Sequence, residues 1–73
     1  MPLNPLPYRI VRQKLIAAGF AELSTEGSHV KFGKQTGDGF RTAIVPKHSE
    51  VAVGTIRSIV RQAGIPVDEW ERL

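Results

Sequence analysis

Residues 24–32 read S-T-E-G-S-H-V-K-F, and the fold turns on this stretch. Glu26-Gly27 is a turn signal, and His29-Val30-Lys31-Phe32 alternates polar and apolar. Period two is the mark of a strand, so Val30 and Phe32 are expected on one face and His29 and Lys31 on the other. A one-residue slip in register would exchange the two faces. A histidine early in a strand, where a β-branched residue would pair better, needs a reason. Its side chain is the one whose unperturbed pKa lies in the physiological range.

Working outward, Phe20–Ser24 alternates weakly before the turn, and Gly33–Gly39 (G-K-Q-T-G-D-G) reads as a loop rich in turn formers. Phe40–Val45 is β-rich and is stopped by Pro46. Three strands joined by short turns predict an antiparallel meander. On the N-terminal side, Tyr8, Val11, Leu15 and Ala18 recur at helical spacing, with Pro7 suited to the first turn and Gly19 to the C-cap. Prolines 2, 5 and 7 make an extended lead-in. On the C-terminal side, Ile56, Ile59, Val60 and Ala63 form an apolar stripe that Gly64 ends. Pro66–Leu73 is a short last segment whose Trp70 is expected to close a small core. The expected fold is α+β, in the order α-β-β-β-α plus a terminal helical turn, with the helices on one sheet face. His29 and Lys31 would then point to the open face.

Seventy-three residues without internal repeats make one domain at most, with a thin core. The chain contains no cysteine, which leaves packing rather than disulfides or thiolate metal sites to hold it together. No apolar run approaches the roughly 20 residues of a membrane span, and M-P-L-N-P-L-P lacks the regions of a signal peptide. A cytoplasmic location is expected.

The net charge is +3, but it is unevenly spread. Between Gly27 and Gly64 stand Lys31, Lys34, Arg41, Lys47, Arg57 and Arg61, against Asp38 and Glu50. The tail carries Asp68, Glu69 and Glu71 against Arg72. A basic body suits a polyanion, or is an ordinary solvated surface; charge alone does not separate the two.

Known chemical signatures are few. Only His48 joins His29 as a histidine, and no H-x-x-x-H or H-x-x-E pairing lies on a helix, so no metal site is expected. There is no G-x-S-x-G elbow for Ser28 to serve, and the Gly33–Gly39 loop lacks the order of a phosphate-binding loop. What remains is a histidine on an open face beside basic residues. RNA cleavage by attack of a 2′-hydroxyl on its own phosphate needs proton transfer and positive charge, and it needs no metal. A positioned histidine contributes about 10²–10⁴-fold to such a step. From spacing alone, an exposed strand histidine is more often incidental than catalytic.

Four ordered segments sharpen the reading: K-L-I-A-A-G-F, E-G-S-H-V-K-F, T-A-I-V-P-K-H-S-E and G-T-I-R-S-I-V-R-Q-A-G-I. Together they resemble the HicA/YcfA family of toxin mRNA interferases, from about Leu6 to Leu73. The resemblance implies that residues 1–73 form a single toxin domain like a double-stranded RNA-binding domain. It implies a toxin of a type II toxin–antitoxin system that cleaves mRNA, stops growth and is neutralised by a HicB-type antitoxin. The family's G-S-H motif falls on Gly27, Ser28 and His29, with the histidine catalytic and Ser28 in a capping or orienting role. Its P-x-H motif falls on Pro46, Lys47 and His48, the last binding RNA or anchoring the loop. Gly54-Thr55-Ile56-Arg57 opens the second helix, and Arg57 faces phosphate or solvent. Lys31, Lys47 and Arg41 are expected to engage phosphates, a reading from charge. The implied partners are RNA and the antitoxin, with no cofactor and no membrane. A non-catalytic RNA-binding module of the same shape is the alternative.

Overall fold

A computed structural model describes residues 3–73, so Pro2 of the expected lead-in lies outside the described residues. The element order is α1 (Tyr8–Ala17), β1 (Ala21–Glu26), β2 (His29–Thr36), β3 (Gly39–Pro46), α2 (Val53–Ala63) and α3 (Val67–Arg72). The strands form one antiparallel sheet in the order β1-β2-β3. The expected α+β meander is borne out.

Pro7 is the cap residue of α1, and its carbonyl accepts the Ile10 and Val11 N–H groups at 3.0 and 3.2 Å. A proline gives up no hydrogen bond at this position, because the first N–H groups of a helix lack helical partners. Upstream, Leu6 and Val51 exchange backbone hydrogen bonds and tie the lead-in to the segment before α2. α2 starts at Val53, one residue before the expected Gly54, and ends on Gly64 at φ 72°. Only glycine adopts that left-handed conformation without penalty, so Gly64 ends the helix as read.

The Gly33–Gly39 segment departs from expectation. Gly33–Thr36 continues β2 against Thr42, Arg41, Phe40 and Gly39, and only Gly37-Asp38 turns. The composition suggests a loop, but tertiary contacts hold the segment extended. Lys34 lays its stem on the core side, donates to the Ala18 carbonyl at 2.6 Å and sits over the Phe20 ring. Gly33, with no side chain, lies beneath neighbours from both flanking strands.

One core lies between the sheet and the helices. Val30, Phe32, Ala43 and Val45 from the sheet meet the α2 stripe of Ile56, Ile59, Val60 and Ala63, all buried. Val11 and Leu15 bring in α1, and Trp70 of α3 is 1% exposed. The helices therefore cover one sheet face, and the face carrying His29 and Lys31 stays open. Gln62 of α2 reaches round the outer edge of β3, where its Oε1 accepts the Ile44 N–H at 3.1 Å. That bond satisfies a group which an edge strand otherwise leaves free.

Candidate functional site

The site is built by the β1–β2 hairpin. Gly27, at φ 59°, opens its two-residue turn, a conformation that favours glycine and matches the twist of the strands. The turn brings Glu26 opposite His29, and the next open-face pair is Ser24 opposite Lys31. On the other side of β2, His29 faces Pro46 and Lys31 faces Ile44. Ser24, Glu26, His29, Lys31 and Ile44 line an open depression of about 430 Å³. His29 and Lys31 are both exposed.

The rest of the expected site falls into two groups. Ser28 joins β2 to the end of β3, because its carbonyl accepts the Lys47 N–H at 2.6 Å. The Lys47 ammonium lies 5.8 Å from the centre of the Tyr8 ring, and the His48 carbonyl accepts the Tyr8 N–H at 3.2 Å. Gly27, Ser28, His29, Lys31 and the Lys47-His48 backbone thus gather around one end of β2. Tyr8 at this junction has its phenol pKa raised, first by burial and then by the Glu22 carboxylate, while Arg12 opposes both.

Arg41 and Arg57 do not join them. Arg41 shares the face of Ala43 and Val45, pairs with Asp38 at 3.9 Å and lies against Gly64 at the end of α2. Arg57 is an exposed residue of α2, a helix on the covered side of the sheet. Lys34 likewise points to the helix side. The open face is therefore less basic than the sequence suggested. Of the strand lysines and arginines, Lys31 alone faces it, and the acidic Glu26 lines the same depression. The reason is the period-two alternation, which sends Lys34 and Arg41 to the side opposite Lys31.

The sequence reading missed two features. Glu26-Gly27 reads as a turn signal, whereas a two-residue Gly27-Ser28 turn makes Glu26 the cross-strand partner of His29. The open face also carries exposed apolar side chains: Phe40 at 58%, Leu23 at 48% and Ile44 at 41%. Leu23 and Phe40 lean over Gly33, where a Cβ would come within 2.6 Å of Leu23 Cδ1 and 2.7 Å of Phe40 Cζ. Among the described residues, no three His, Cys, Asp or Glu side chains come together as a metal-binding group. No helix among them is long and apolar enough to cross a membrane.

Comparison with known proteins adds one result. The model of a family described as HicA toxin of bacterial toxin-antitoxin matches residues 8–65, a span from the start of α1 to just past α2. No curated protein matches the chain at a significant level.

Proposed function

The chain belongs to the HicA toxin family of bacterial toxin–antitoxin proteins, and from that membership we propose that it is a metal-independent endoribonuclease acting through His29. The observation that carries this reading is the place of His29. It stands on the open sheet face, in a depression shared with Lys31 and Glu26.

The chemistry these groups support is internal transesterification. The 2′-oxygen of one nucleotide bonds to its own phosphorus, and the bond from phosphorus to the 5′-oxygen of the next nucleotide breaks. The 2′-hydroxyl proton goes to a base, and an acid supplies a proton to the departing 5′-oxygen. The products are a 2′,3′-cyclic phosphate and a 5′-hydroxyl. His29 handles one of these protons, and Glu26, across the ladder, handles the other. Lys31 offsets the charge that builds on the phosphoryl oxygens. Lys47 and His48 lie at the same end of β2, where they hold the flanking RNA backbone. Arg57 serves as a peripheral phosphate contact at most, and Arg41 supports the fold beside Gly64.

The partner is a HicB-type antitoxin that covers the His29 face and blocks RNA. The setting in which growth arrest and antitoxin control operate is the cytoplasm.

The test is incubation of purified protein with RNA in EDTA, followed by analysis of the new ends. Fragments ending in 2′,3′-cyclic phosphate are expected. Retention of RNA without fragments would instead favour a binding module that reads duplex shape and 2′-hydroxyls. Glu26→Gln is expected to slow cleavage about 10²-fold without weakening RNA binding. An unchanged rate would remove Glu26 from the mechanism and leave His29 in place.

A further inference from the structure

The apolar part of the open face adjoins the depression. His29, Lys31 and Gly33 follow one another along β2 on that face, so Gly33 lies about 13 Å from His29 along the strand. Phe40 from β3 places its ring edge over Gly33, held there because Gly33 has no side chain to displace it. More than half of Phe40 is exposed, although a phenylalanine on a small fold is ordinarily buried. Leu23 flanks Gly33 from β1, which makes the patch continuous across all three strands. A histidine, a cation and an exposed aromatic ring thus stand in a row.

We propose that Phe40 is a stacking surface for an unpaired base of the RNA bound at the His29 site. The proposal rests on the ribonuclease reading above and gives that site a base-binding position. The apolar part of this face suits an unpaired base. A duplex presents its phosphates and 2′-hydroxyls, with its bases stacked inside, and rewards a surface lined with cations. Here, Lys31 is the one lysine or arginine that the three strands turn to this side, and Glu26 is near it. An apolar sheet face with an exposed ring instead matches bases that are splayed out and stacked. With the phosphate at His29 and Lys31, the strand runs along β2 and sets a neighbouring base on Phe40.

The experiment measures affinity for a single-stranded oligonucleotide with 2′-O-methyl riboses, which lacks the attacking hydroxyl and cannot be cleaved by this route. Wild type, Phe40→Ala, Phe40→Leu and Phe40→Trp are compared, each with its thermal unfolding recorded, and the same sequence is tested as a duplex. Phe40→Ala and Phe40→Leu are expected to weaken single-strand binding roughly tenfold, with Phe40→Trp close to wild type. The duplex is expected to bind more weakly and to be indifferent to residue 40. Phe40→Leu equal to wild type would overturn the proposal, since an apolar cover for Gly33 would then suffice. Unchanged single-strand binding by Phe40→Ala, with weakened binding of a HicB-type antitoxin, would overturn it too and assign the patch to the protein partner. Parallel cleavage of unmodified RNA keeps the two readings apart: cleavage that persists while stacking fails sinks only this proposal.

Discussion

At the scale of single residues, Tyr8 and His29 show how differently position acts on a side chain. Tyr8 joins α1 to the Lys47-His48 segment through its backbone, and its phenol sits where burial and Glu22 disfavour the phenolate. Its folded-state pKa is therefore above that of the unfolded chain. The stability this gives is fully present below about pH 10 and is lost as pH rises through the folded-state value. In thermal unfolding from about pH 9 to about pH 11, Tyr8→Phe is expected to lose less stability than wild type. Equal alkaline losses would contradict that account. The outward placement of His29 was legible in the sequence, because Val30 and Phe32 are strongly apolar and occupy alternate positions, both fully buried. The outward placement of Phe40 was not. F-R-T-A-I-V carries apolar residues on both faces, so its alternation leaves the register open until pairing with β2 sets it.

At the scale of elements, composition misled where tertiary contacts prevailed. G-K-Q-T is a poor strand by propensity, yet it pairs as one because Lys34 is anchored on Ala18 and Phe20. The short α3 is the opposite case, a segment read from Pro66 and Trp70 that packs as expected. Six residues form too short a helix to be stable alone, so tertiary contacts must hold it. Trp70 is buried, and the Lys14 ammonium donates to the Trp70 and Leu73 carbonyls at 2.9 and 3.1 Å. Trp70→Ala is expected to cost about 3–5 kcal/mol. Lys14→Met, which keeps the stem and removes the donors, is expected to cost about 1.5 kcal/mol in chemical denaturation. A Lys14→Met variant as stable as wild type would mean that Trp70 holds α3 without help.

At the scale of the whole molecule, covering one sheet face with helices leaves the other free for partners. Charge totals could not show how cations divide between faces, so the sequence overstated how basic the open face is. Apolar exposure compensates, and under the proposed function RNA and antitoxin compete for this one surface. The complex with a HicB-type antitoxin is expected to lose ribonuclease activity, and a stable complex with full activity would contradict occlusion. The central claim is that His29 performs the chemistry. Single-turnover cleavage of one RNA by wild type and His29→Ala, each with its unfolding midpoint measured, tests it most directly. The expected result is a rate at least about 10²-fold lower for the variant at an unchanged midpoint. Cleavage at the wild-type rate by folded His29→Ala would contradict the claim.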